Sequence, residues 1–295
     1  MNPANRPPRV LVTGGSGSVG SAVCTGLPAA GWTVRQIDLN PPASEPSWPH
    51  ESVVGDVFDL GTLRQAVDGC AAVVHLAAIP GEASMPDIAA SHVVGTALVL
   101  EAARRAGIDR FVFASSNHAA GFTPRSDFPS SPVGTDVRPR PDTFYGVGKV
   151  AGEALCSLYS DRYAMRTACM RIGTFRDRPV TRRHLSTWLS PGDLVRMVDA
   201  CLRAPDLTYA VLWGISANTR RWWDLAPGQA LGYQPQDDAE AYAATIEPAE
   251  PADGGGPDDP ADPDDPADPD FAYLGGSFTQ PPLPQPVWAG SEGEL

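Results

Sequence analysis

The chain has 295 residues, enough for one large α/β domain or two small ones, with a formal net charge of −13. Sixteen of its 35 acidic residues follow Arg221, the last basic residue, so the first 221 residues hold 22 basic and 19 acidic groups. A nearly neutral body with an acidic tail excludes an electrostatic nucleic-acid binder. The most apolar stretch, Ala71 to Ile79, falls far short of the roughly 20 residues a bilayer span needs, and Met1 to Arg9 lacks the apolar core of a secretory signal, so a cytoplasmic protein is expected. Cys24, Cys70, Cys156, Cys169 and Cys201 stand singly without a Cys-x-x-Cys pair, which argues against a disulfide framework and a metal site.

Arg9 to Thr13 reads as a buried parallel strand running straight into Gly14-Gly-Ser-Gly-Ser-Val-Gly20 and a helix from about Ser18 to Leu27. Strand, glycines and helix in this order suit a pyrophosphate, because the glycines admit a tight turn and the helix amides face the phosphates. The next strand, Trp32 to Asp38, ends in an acid placed to accept from ribose hydroxyls and to repel a 2′-phosphate, so NAD is expected rather than NADP. After the proline-rich connection Asn40 to Pro49, Ser52 to Asp56 returns to the sheet; Asp56 either reaches the adenine amino group or caps the helix starting near Asp59.

Ala71 to Ala78 reads as a fourth strand, with His75 expected to pack in the core, and a long helix follows from about Pro86 to Gly107. Phe111 to His118 gives a fifth strand ending in Ser115, Ser116, Asn117 and His118, beyond the strand ends where open parallel sheets bind ligands. For Ser115, capping a turn and a functional role are equally balanced. Tyr145-Gly-Val-Gly-Lys149 puts a phenol and an ammonium one helical turn apart on one face, which favours the phenolate and makes the tyrosine a usable base. Beyond it, a helix from about Pro191 to Ala204, a strand at Tyr209 to Trp213 and a short helix near Asp237 to Ile246 read as a small C-terminal cap, with Trp222 and Trp223 expected in packing. Residues 1–8 read as a flexible terminus and 9–246 as the NAD-binding and substrate domain. Glu247 to Asp270, rich in Pro and Asp, reads as a disordered linker, and Phe271 to Leu274 and Phe278 to Trp288 as anchors that dock back on the body or on another subunit.

Together the glycine loop, the acid closing the second strand, the serines closing the fifth and Tyr-x-x-x-Lys resemble the extended short-chain dehydrogenase/reductase superfamily, a Rossmann-type doubly wound parallel sheet. Phe113-Ala-Ser-Ser-Asn-His118, Arg140-Pro-Asp142, Arg171-Ile-Gly173, Leu185-Ser-Thr-Trp188, Trp213-Gly-Ile-Ser-Ala-Asn218, Trp222-Trp-Asp224 and Gly275-Gly-Ser-Phe278 resemble the corresponding runs of uronate dehydrogenases. The resemblance implies catalytic roles for Ser116, Tyr145 and Lys149. It implies substrate contacts by Asn117, His118, Thr174 and Arg183, the last gripping a uronate carboxylate. It further implies NAD contacts by Gly14, Gly17, Ser18, Val19, Gly20, Asp38, Leu39, Asp56, Val57, Leu76, Ala77, Ala78, Tyr145, Lys149 and Ile172, and a homo-oligomer.

The implied reaction is oxidation of the C1 hydroxyl of cyclic glucuronate or galacturonate to a lactone, with Tyr145 as base, Lys149 lowering its pKa and Ser116 orienting the hydroxyl. Three positions depart from the family: Pro80 replaces a substrate-contacting serine, Thr174 replaces a serine, and His92 replaces an asparagine. The rival readings are a nucleotide-sugar epimerase or dehydratase, which needs a larger C-terminal domain, and a non-catalytic NAD-binding regulator, which needs no base.

Overall fold

The computed structural model describes residues 7–42, 50–246 and 269–279. Most of the expected acidic linker, 247–268, and the anchors after Thr279 lie outside the described residues. Seven parallel strands form one sheet in the order β3-β2-β1-β4-β5-β6-β9. They are β1 Arg9–Thr13, β2 Thr33–Asp38, β3 His50–Val54, β4 Ala72–His75, β5 Arg110–Ser116, β6 Arg166–Ile172 and β9 Tyr209–Gly214. The order turns back at β1 and β4, so the crevice of a doubly wound sheet opens at their carboxyl ends. The inner strands β1 and β4 are rich in apolar residues because helices cover both faces. One core centres on Val12, Val74, Met170 and Trp213, and the other on Leu11, Val73, Phe111 and Cys156.

The helices on these faces are α1 Ser18–Gly26, α2 Leu60–Val67, α3 Met85–Ile88, α4 Gly95–Arg105, α5 Phe144–Tyr163 and α7 Pro191–Arg203. The single long helix expected from Pro86 to Gly107 is interrupted: α3 and α4 are joined by a π-helical stretch, Ala89–Val94. β4 is shorter than expected because the chain leaves the sheet after His75, and the Leu76 and Ala77 amides donate to the Thr13 hydroxyl, each at 3.2 Å. His75 is a core residue, bonded to Thr13 at 2.7 Å and Thr96 at 3.1 Å, and burial lowers its pKa to about 3.

A smaller layer covers the carboxyl edge on the β6 side. It holds the two-stranded sheet β7 Thr174–Phe175 with β8 Trp188–Leu189, and the short helices α6 His184–Thr187, α8 Ala226–Ala230 and α9 Ala243–Ile246. The last helix of the body is split, a 3-10 turn at Ala239–Tyr242 preceding α9, and Asp238 caps its start by accepting from the Glu240 amide. The described C-terminal segment begins with α10, Pro269–Ala272, and docks on this layer with Phe271 and Leu274 buried. All five cysteines are free, and among the described residues no helix is long and apolar enough to cross a membrane.

A buried ion pair ties β5, β6 and α5 together. Arg171 donates to Glu153 through two nitrogens, at 2.8 and 2.9 Å, and Ser115 donates to the same carboxylate at 2.5 Å. Ser115 therefore neither caps a turn nor faces the ligand crevice. Glu153→Ala strands the Arg171 guanidinium without its counter-charge and is expected to cost about 3–5 kcal/mol of stability in urea unfolding.

Candidate active site

A cleft of about 490 Å³ opens at the β1/β4 crossover and is lined by the β1–α1 turn, the ends of β2 and β3, and the chain after β4. Of the expected NAD contacts, Gly14, Gly17, Ser18, Val19, Gly20, Asp38, Leu39, Asp56, Val57, Leu76, Ala77 and Ala78 line it. Gly14 has φ of +71°, and a Cβ there would sit 2.7 Å from the Ala77 amide nitrogen, so only glycine lets the turn pass under the chain leaving β4. A Cβ on Gly20 would meet the Gly14 carbonyl oxygen at 2.0 Å. On Gly17 it would meet only that oxygen, at 3.4 Å, so the bareness of this residue serves the cleft and not the packing. This arrangement fits a dinucleotide: the α1 amides end at the cleft, and among the described residues Asp38 and Asp56 are the charged side chains that line it.

The Asp38 carboxylate accepts from the Ser16 and Asn40 amides, each at 3.0 Å, which fixes it at the cleft wall with lone pairs remaining for ribose hydroxyls. Of the two roles open to Asp56, helix capping falls to Asp59, which accepts from Gly61 and Thr62; Asp56 stays in the cleft, accepting from Phe58 at 3.0 Å. Tyr145, Lys149 and Ile172 stand outside the cleft lining, around the ends of β5 and β6, where Ile172 is the register partner of Ser116.

Ser116 ends β5; its hydroxyl stands near enough to the Tyr145 phenol to act on its pKa, and it accepts from the His118 amide at 3.3 Å. Tyr145 is in the first turn of α5, which Thr143 caps by accepting from Gly146 at 3.0 Å. The four-residue spacing sets the Lys149 ammonium under the ring, 5.1 Å from its centroid, and the ammonium donates to the Ala114 carbonyl at 2.9 Å. Burial lowers the Lys149 pKa from 10.5 to about 8, leaving it mostly charged at neutral pH. The phenol is not held low as expected. Burial raises its pKa, the Ser116 hydrogen bond pulls it back, and the Asp142 carboxylate pushes it up again.

The expected substrate residues gather on the other side of Tyr145. His118 places its ring 5.9 Å from that of Tyr145, edge to face, and Asp142 engages its Nδ1 at 2.8 Å. Asn117 is used internally: it accepts from Ser116 at 3.3 Å and donates to the Leu274 carbonyl at 2.9 Å. Thr174 bonds Thr187 at 2.9 Å. Arg183 donates to the carbonyls of Asp270 and Leu274 and packs 4.9 Å over Trp222, and burial lowers its pKa to about 10. Trp223 stacks on Trp213 at 4.8 Å as pure packing, whereas Trp222 also carries the guanidinium. Spacing did not reveal Asp142, Trp222 or Phe278, whose ring lies 4.6 Å from that of His118; their signals were the runs Arg140-Pro-Asp142, Trp222-Trp-Asp224 and Gly275-Gly-Ser-Phe278. Among the described residues, no group of three or more His, Cys, Asp or Glu is placed to hold a metal.

The model of the NAD dependent epimerase/dehydratase family matches residues 10–176. The chain belongs to this family. Within it, the chain is 37% identical over 249 residues to a uronate dehydrogenase of Agrobacterium fabrum, covering 83% of this chain and 92% of the relative. It is 35% identical over 245 residues to one of Pseudomonas putida, covering 83% and 89%. The crystal structure of an Agrobacterium tumefaciens uronate dehydrogenase, a tyrosine-to-alanine mutant complexed with NAD, superposes with a TM-score of 0.80 at 37% identity, covering 94% of this chain and 98% of that one.

The depressed Lys149 pKa has a consequence for stability. Below about 8 the ammonium is charged in both folded and unfolded chains and its burial penalty is fully present; above 10.5 both are neutral and the penalty is gone. Relative to Lys149→Met, the wild type is therefore expected to gain about 3 kcal/mol between pH 7 and the alkaline limit, measured by urea unfolding at each pH.

Proposed function

We propose that this chain is an NAD-dependent oxidoreductase that oxidises the C1 hydroxyl of a cyclic uronic acid to the corresponding lactone. The observation that carries this reading is the Tyr145 phenol beside Ser116 with the Lys149 ammonium beneath its ring, at the sheet edge beside a dinucleotide cleft. Gly14, Gly17 and Ser18 would hold the pyrophosphate, and Asp38 the adenosine ribose. NAD, when bound, supplies the hydride acceptor and brings the positive charge of its oxidised nicotinamide ring.

Tyr145 takes the proton of the C1 hydroxyl while Ser116 orients that hydroxyl, and C1 gives up its hydride as the carbonyl forms. Lys149 opposes the rise that burial imposes on the phenol. His118, fixed through Nδ1 by Asp142, offers Nε2 to a ring hydroxyl, beside Asn117 and Thr174. Arg183 is a buried cation whose described hydrogen bonds go to neutral carbonyls, so a carboxylate entering beside it gains the charge complementarity that its depressed pKa lacks. Pro80 removes a hydroxyl contact and shifts the choice of sugar. A cytoplasmic homo-oligomer is part of this reading, and the exposed Val147, Leu158 and Tyr163 of α5 offer apolar side chains for contact between copies.

The test is NADH formation with galacturonate and glucuronate, each with NAD and NADP. NAD-dependent turnover is expected, and Tyr145→Phe should lose roughly 10²–10⁴-fold in kcat. Failure of both uronates with NADH still bound would overturn the substrate. Because the phenol is raised, kcat/KM should climb on the alkaline side, and Lys149→Ala should move that limb to still higher pH.

A further inference from the structure

The first amides of a helix have no partner within it. In α5, Thr143 takes the amide of Gly146 at 3.0 Å, and the regular ladder starts with Val147 donating to the Thr143 carbonyl at 3.0 Å. The amides of Phe144 and Tyr145 are taken by one carboxylate: Phe144 donates to Glu82 Oε1 at 3.0 Å and Tyr145 to Glu82 Oε2 at 2.8 Å, 62 and 63 residues away in the chain. Glu82 belongs to no motif in the sequence. It sits in the loop between β4 and α3, whose Ile79 and Pro80 line the dinucleotide cleft. The other end of that loop is tied down at Ile79, whose amide donates to Ser91 at 3.1 Å and whose carbonyl bonds His92 Nε2 at 3.0 Å. The His92 ring in turn meets the Tyr145 ring edge-on at 5.3 Å.

We propose that Glu82 is a positioning residue that clamps the backbone of Tyr145 to the wall of the cofactor cleft, holding the phenol against Ser116; this rests on Tyr145 being the base. Thr143 supplies the local cap but takes only the Gly146 amide, and water would serve the other two if satisfaction were all that was needed. A carboxylate from another element, bound through both oxygens, instead fixes two backbone nitrogens relative to the loop beside the cofactor. Its negative charge also suits the positive end of the α5 dipole.

The test uses the full chain, with Glu82→Ala and the isosteric Glu82→Gln. Single-amide hydrogen exchange without any ligand should show Phe144 and Tyr145 protected in the wild type. Glu82→Ala should speed exchange at these two amides roughly tenfold or more, while those beyond Cys156 stay unchanged. Glu82→Gln, with one acceptor oxygen, should keep protection at only one of them. In turnover, Glu82→Ala should lower kcat roughly tenfold or more, with the KM for uronate and the Kd for NADH within about threefold, and Glu82→Gln should fall between. Wild-type exchange at both amides in either variant, or a kcat within about twofold of wild type, would overturn the clamp. If Glu82→Ala does not fold, Glu82→Gln decides by the same two readouts. A wild type inactive on uronates, with the amides still deprotected in the variants, would sink the substrate reading and leave the clamp standing; activity retained by Tyr145→Phe would remove the base that the clamp is proposed to position.

Discussion

Helix α5 lies so close to β5, to the turn that follows it and to the π-helical stretch before α4 that three of its positions have no room for a side chain. A Cβ on Gly146 would stand 2.4 Å from the His118 carbonyl oxygen, one on Gly148 2.8 Å from the His92 Cβ, and one on Gly152 2.2 Å from the Phe113 ring. This approach sets the rest of the site. It brings the Tyr145 phenol beside Ser116 at the end of β5, and it lets Lys149 reach the Ala114 carbonyl two strand residues further in. It also removes Lys149 from water, which lowers its pKa while leaving it charged at neutral pH. The geometry and the electrostatics of the site thus share one cause, the contact distance between a helix and a strand.

The cations Arg171, Lys149 and Arg183 are treated in two ways. Arg171, behind the site, has a carboxylate bound through two nitrogens and serves as a fixed strut between β6 and α5. Lys149 and Arg183, at the site, make their described hydrogen bonds to backbone carbonyls. A carbonyl dipole satisfies the hydrogen-bond geometry without neutralising the charge, so burial depresses both pKa values, to about 8 and about 10. Cations left in this condition favour an arriving negative charge, a phenolate beside Lys149 and a carboxylate beside Arg183.

The C-terminal segment completes the wall opposite the cleft. Leu274 and Gly275 donate to the carbonyls of Thr123 and Gly121, at 3.1 and 2.9 Å, and the Leu274 carbonyl accepts from both Asn117 and Arg183. Phe271 meets Trp222 at 5.8 Å, under the ring that carries Arg183, and Phe278 lies against His118. Two residues expected to touch substrate are therefore held by a segment more than 80 positions away, and its shape bears on theirs.

Local spacing in the sequence marked six of the seven strands, all but β6, together with the glycine turn and its closing Asp38, and the serine, tyrosine and lysine that meet at one edge. These depend on periodicity and on which residues end a strand or begin a helix, and the chain carries that information over a few residues. Local spacing also marked the Tyr145-to-Lys149 pair, yet not the net direction of the phenol's pKa, because burial outweighs a neighbour's charge there and burial belongs to packing. Only the tertiary structure decided that Ser115 serves the Arg171–Glu153 pair, that Asp59 rather than Asp56 caps its helix, and that Asn117 and Arg183 meet the Leu274 carbonyl. It alone brought Glu82 to Tyr145 and Asp142 to His118. Apart from the Asp59 cap, these contacts join residues 24 to 157 positions apart, and their partners are chosen by which buried polar groups the packing leaves in need of one.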